Sequence, residues 1–125
     1  MPVPFADLQL QYQTIKSEID GAIAAVIRDN AFICELVTIG EDCFVGHGVM
    51  FVNDTFATGG PARGNRELWR ETVIGNRVSI GSNATIMPVN IVDDVVIGAG
   101  SVVTKDITIA GTYAGNPARR LLTGR

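Results

Sequence analysis

A chain of 125 residues has room for about one hydrophobic core. Its 46% hydrophobic and 18% charged residues exclude disorder, and a net charge of −3 excludes a general electrostatic pull toward nucleic acid. No apolar run approaches the ~20 residues that span a bilayer, and Met1-Pro2-Val3-Pro4-Phe5 lacks a leader pattern, so a cytoplasmic protein without a membrane partner is expected.

The first element is helical. Leu8, Tyr12, Ile15, Ile19, Ile23 and Val26 recur at steps of three and four, which gives one apolar face of an α-helix over residues 8–29. Asp7 suits its N-cap and Asn30 its stop, and Gly21 weakens its interior. Residues 1–32 are therefore expected to form an N-terminal helical unit.

A six-residue period follows. Large apolar residues stand at Ile33, Val37, Ile39, Val45 and Phe51, then at Ile74, Ile80, Ile86, Ile91, Ile97, Val103 and Ile109. Glycine follows several of them (Gly40, Gly46, Gly75, Gly81, Gly98), and a smaller residue comes four positions later: Cys43, Val49, Thr55, Val78, Ala84, Val95 and Ser101. A large inward residue, a corner and a small inward residue describe one side of a triangular coil, and three hexads close it. The expected architecture is all-β: a parallel β-helix of under four coils over residues 33–112, capped by the helix, with a tail at 113–125. The period breaks at residues 57–73, an inserted loop whose length suggests a role, and again between Ile86 and Ile91, where Pro88 tightens a corner. Cys34 and Cys43 are too few for a disulfide scaffold; both read as structural, Cys43 at an inward position.

Ile97-Gly98-Ala99-Gly100-Ser101-Val102-Val103-Thr104-Lys105-Asp106, Ala114-Gly115-Asn116-Pro117-Ala118 and Ile80-Gly81-Ser82-Asn83-Ala84-Thr85-Ile86 resemble the left-handed parallel β-helix acyltransferases built on hexapeptide repeats. Gly46-His47-Gly48-Val49-Met50-Phe51-Val52-Asn53-Asp54, followed by a loop with Trp69, is similar to the branch that N-acetylates nucleotide-linked amino sugars. The resemblance implies acetyl-CoA as acyl donor, a nucleotide sugar as acceptor, a homotrimer with the donor between subunits, and no metal. Residues 3–33, through Val3-Pro4-Phe5-Ala6-Asp7-Leu8 and Gln11-Tyr12-Gln13-Thr14-Ile15-Lys16, resemble instead the start of a pyridoxal-phosphate sugar aminotransferase, without any cofactor-binding portion. This segment stands where the acetyltransferases usually carry amino-terminal coils.

Counting three hexads per coil stacks the corners Gly46-His47-Gly48, Gly81-Ser82-Asn83 and Gly98-Ala99-Gly100 in one column. Its small residues leave backbone groups open to an extended ligand, so Ser82, Gly98, Ala99 and Gly100 are candidate donor contacts. Lys105, Arg119 and Arg120 fall where the family's coenzyme phosphates end, or form a solvated basic tail. His47, the only histidine, can take a proton from an attacking amine, or fill space in a subunit contact. Asn53 and Asp54 either meet the acceptor sugar or, for Asp54, start the loop as an Asx-turn. Arg63, Arg66, Arg70 and Trp69 either hold a nucleotide diphosphate and its base or clamp the loop onto a neighbouring subunit. The leading expectation is a nucleotide-amino-sugar N-acetyltransferase. A sugar O-acetyltransferase of the same fold and a non-catalytic coenzyme-binding, trimerising module are its alternatives.

Overall fold

The structure, a computed structural model, describes residues 8–28 and 36–122. Ile33 and Cys34 lie outside the described residues, as do Asp7 and Asn30 at the ends of the expected helix. The chain divides into two compact units, residues 1–32 and 33–125.

In the first unit α1 (Leu8–Arg28) forms as the apolar spacing predicts. Tyr12 donates a 3.0 Å hydrogen bond to Asp20, and Lys16 pairs with Asp20 one turn away, an arrangement worth a few tenths of a kcal/mol. None of the residues of α1 is buried.

The second unit is a three-sided parallel coil. Its strands are β1 (Val37–Ile39), β2 (Phe44–Val45), β3 (Met50–Phe51), β4 (Thr72–Ile74), β5 (Ser79–Ile80), β6 (Thr85–Ile86), β7 (Asn90–Ile91), β8 (Val95–Ile97), β9 (Val102–Val103), β10 (Gly111–Ala114) and β11 (Arg119–Arg120). One face is β1-β4-β7, the second is β2-β5-β8-β10-β11 and the third is β3-β6-β9. All pairings are parallel except β10 with β11. The result is three complete coils and part of a fourth.

Registers put the large apolar residues directly above one another. Ile39 pairs with Ile74 and Ile74 with Ile91; Val45 with Ile80 and Ile80 with Ile97; Phe51 with Ile86 and Ile86 with Val103. Ile74, Ile80, Ile86 and Ile97 are each at most 2% exposed, and each such burial is worth about 1.5–3 kcal/mol. Val78, Ala84, Val95 and Ser101 fill the smaller inward positions and are likewise buried. The Ser101 hydroxyl accepts from the N–H of Gly115, so its burial leaves no polar group orphaned.

Three sequence expectations are corrected. Ile109 is exposed, and Ile107 takes the inward place beside Ile91, because Asp106 reaches the N–H of Asn90 (2.8 Å) and shortens the corner. Thr55 is exposed just ahead of residues 57–73, whereas Thr72 and Val89 hold inward places that the hexad count passed over. The loop ends before β4, so Thr72 and Val73 belong to the coil, and the expected tail carries the end of β10 and all of β11, the last two strands of the second face.

Candidate functional site

The column expected from the hexad count exists. Gly46 donates to the carbonyl of Ile80 (2.8 Å), Gly81 to Ile97 (2.8 Å) and Gly98 to Tyr113 (2.8 Å), so the corner after the second face is stacked through successive coils. The third residue of each corner adds a second rung. Asn83 donates to the carbonyl of His47 and Gly100 to that of Ser82, both at 2.9 Å. His47, Ser82 and Ala99 are therefore the middle residues of one exposed ledge. Their N–H groups make no hydrogen bond among the described residues.

This changes the reason for the glycines. A Cβ on Gly46 would lie 2.7 Å from the Ser82 nitrogen, and one on Gly81 2.5 Å from the Ala99 nitrogen. Glycine is required there for the approach of coil to coil. The middle N–H groups, one per coil at a spacing of about 4.8 Å, are the ones without a partner among the described residues. The turn Gly115–Ala118 closes the column above Ala99: Val102 donates to the carbonyl of Gly115 and Ala118 to that of Val102. From His47 to that turn the ledge runs about 14 Å, long enough for an extended, amide-bearing chain.

Of the other expected donor contacts, Arg119 lies in β11, which extends the second face beyond β10. Its guanidinium donates to the neighbouring Ala118 carbonyl, and that of Arg120 to Ala110. Lys105 follows β9 and so stands at a different corner, exposed. His47 is exposed, and its imidazole makes no hydrogen bond among the described residues.

The inserted loop leaves the coil at the other edge of β3. His47 precedes β3 and Asn53 follows it, so the two stand at opposite edges of that strand, at different corners of the coil. One subunit therefore does not bring His47, Asn53 and Asp54 into one cleft. Arg70 donates to the carbonyl of Asn53 (2.9 Å), and Asp54 bridges to Trp69, which closes the loop's base. The Asp54 carboxylate is turned into the loop: one oxygen accepts the N–H of Phe56 (2.9 Å) and the other that of Ala62 (2.6 Å). The Asx-turn alternative describes this geometry. Further along, Asn65 caps a 3-10 turn (Arg66–Leu68) through the N–H of Glu67, and the Arg66 guanidinium lies 5.9 Å from the Trp69 ring centre. Arg63 is exposed at the loop's tip with φ 50°.

The corner after the first face is polar. Asn76 donates to Asp93 through both backbone and side chain, and its side-chain oxygen accepts the N–H of Glu41. Arg77 pairs with Asp94 at 2.8 Å and with Asp93 at 3.3 Å. The Asn76 N–H groups, more than the guanidinium, hold the Asp93 carboxyl below the usual carboxylate range. For Asp94 the Arg77 hydrogen bond is the main cause of the same shift. These contacts tie coils together, and sequence reading missed them because hexad positions beside a corner carry no apolar signal. No group of three or more His, Cys, Asp or Glu side chains converges to hold a metal among the described residues.

Comparison with known proteins agrees with this geometry. The hexapeptide repeat of succinyl-transferase matches residues 36–50 and 71–105, leaving out the inserted loop. The galactoside O-acetyltransferase of Escherichia coli (strain K12) is 43% identical over 89 residues, 66% of this chain and 42% of that protein. A probable macrolide acetyltransferase of Lysinibacillus sphaericus is 34% identical over 108 residues, 70% of this chain and 60% of that protein. Among solved structures, a galactoside acetyltransferase in complex with coenzyme A superposes with a TM-score of 0.59 at 33% identity, covering 72% of this chain and 47% of that one. A polysialic acid O-acetyltransferase gives 0.56 at 28%, covering 71% and 46%. The shared architecture is a left-handed parallel β-helix. The chain spans about half the length of these relatives.

Proposed function

We propose that this chain, a member of the hexapeptide-repeat acyltransferase family, transfers an acetyl group from acetyl-CoA to the amine of a nucleotide-linked amino sugar. The observation that carries the reading is the ledge of N–H groups at His47, Ser82 and Ala99, without partners among the described residues and at a spacing that suits the pantetheine arm. Ser82, Gly98, Ala99 and Gly100 border that arm, Arg119 supplies positive charge for its phosphates, and Lys105, at a different corner, would reach them only from a neighbouring copy. The acceptor nitrogen attacks the thioester carbonyl, forming the C–N bond as the C–S bond breaks. His47 takes the amine proton and returns it to the leaving thiolate.

Two features support assembly as a homotrimer. Phe44, Met50 and Val96 point outward and are 62%, 61% and 45% exposed, on flat faces suited to packing against another copy. The ledge and the loop stand at different corners of one chain, so a neighbouring copy would bring the loop of one to the ledge of the other. Asn53, Arg66 and Trp69 would then border the acceptor, with the Arg66–Trp69 pair suited to a diphosphate and its base.

A hydroxyl acceptor is the second reading, favoured by the names of the relatives, which include O-acetyltransferases acting on a galactoside and on polysialic acid. Thermal shift with acetyl-CoA, followed by transfer assays on amino-sugar nucleotides and on simple sugars, tests both. At a hundredfold its Kd, acetyl-CoA is expected to add about 2.7 kcal/mol per site, and Ala99→Trp to abolish that gain. His47→Ala is expected to spare binding and lower turnover by about 10²–10⁴-fold. Unchanged coenzyme binding in Ala99→Trp would remove the ledge as the donor site.

A further inference from the structure

Three parts of the inserted loop meet at one residue, Asp54. One carboxylate oxygen of Asp54 accepts the N–H of Phe56 and the other that of Ala62, which closes the span between them into a ring. The backbone of Asp54 pairs with Trp69 at the loop's far end. Phe56 at the start of the ring and Arg63 just after it stand at φ 53° and 50°, left-handed conformations that residues with a side chain adopt at a cost. Ala62 is 6% exposed, so the bond it donates is shielded from competing water. Asn65 then donates to the carbonyl of Ala62 and starts the 3-10 turn that sets Arg66 over Trp69. An unbroken run of contacts therefore leads from the Asp54 carboxylate to the Arg66–Trp69 pair.

We infer that Asp54 is a positioning residue for acceptor recognition, holding the loop that presents Arg66 and Trp69, and is not the base of the reaction. The inference rests on the acetyltransferase reading above. Both carboxylate oxygens already accept backbone N–H groups, and a carboxylate that took the acceptor's proton would lose the charge that strengthens both bonds. Each turnover would then loosen the loop that binds the acceptor.

Two substitutions and two readouts test this. Asp54→Asn keeps one acceptor oxygen, and Asp54→Ala keeps none. Trp69 is the only tryptophan, so its emission reports the loop directly, without any assay of activity. The expected result is graded loosening: acrylamide quenching of Trp69 rises in Asp54→Asn and rises further in Asp54→Ala. The acceptor KM climbs about tenfold or more in the same order, while kcat stays within a few-fold and the shape of its pH profile is kept. A base would behave otherwise: both variants would lose about 10²-fold or more in kcat equally, with the acid limb of the profile gone and Trp69 quenching unchanged. That result overturns the inference. If the wild type transfers no acetyl group to any acceptor, the functional reading fails, and the quenching series alone decides. Quenching equal to wild type in both variants then overturns the positioning role.

Discussion

Replacing Gly81 by alanine puts a methyl group where the next coil already lies. An ideal Cβ at this position would stand 2.5 Å from the Ala99 nitrogen, 2.8 Å from its Cα and 2.9 Å from the Gly98 carbonyl carbon. Ordinary carbon contacts are about 3.5–4.0 Å, so the second and third coils must part by about 1 Å at this corner. The neighbours are backbone, and the Gly81 N–H bond to Ile97, now 2.8 Å, must stretch with them. Overpacking of this kind costs about 1–3 kcal/mol and a weakened hydrogen bond about 0.5–1.5 kcal/mol. A loss of about 2–4 kcal/mol corresponds to a fall in Tm on the order of 10–20 °C for a unit of this size. Gly60→Ala is the control, since a Cβ there meets nothing within 4 Å, and its melting temperature should stay within about 4 °C of the wild type. Calorimetry of both variants at one protein concentration makes the comparison. If Gly81→Ala melts where Gly60→Ala does, the coils are not held as closely as the corner implies.

Ile97, 1% exposed, should lose about 2–5 kcal/mol on change to alanine, read as a lower urea midpoint, and Ile97→Asp should yield no soluble folded protein. Asp93 and Asp94 have carboxyls depressed in the folded chain, so their contribution is present above the unfolded carboxylate range and lost as pH falls through the lower folded values. Urea midpoints measured from pH 6 downward should therefore fall on the acid side, and less steeply in Asp93→Asn; equal slopes would show that this corner does not stabilise the fold. Light scattering at micromolar concentration should give three times the monomer mass, and a stable monomer would remove the inter-subunit site.

The period of six, with glycine after several of its large apolar residues, was enough to derive the coil and the stacking of His47, Ser82 and Ala99. Both follow from local chain geometry: equal steps around a three-sided turn return every third corner to the same column, so spacing alone fixes which residues are neighbours. The helix was legible for a similar reason, because its apolar face repeats at the helical period. Spacing fails where corners differ in length. Ile109 fits the count, yet Ile107 is buried, because the side chain of Asp106 captures the Asn90 N–H and closes the corner early. The inserted loop has no period, so the convergence of Phe56, Ala62 and Trp69 on Asp54 exists only once the chain has turned back on itself. The ledge shows the same division. Sequence determined which three residues stack, but only the coil-to-coil hydrogen bonds decided which of their neighbours' N–H groups are consumed and which are left to meet a ligand.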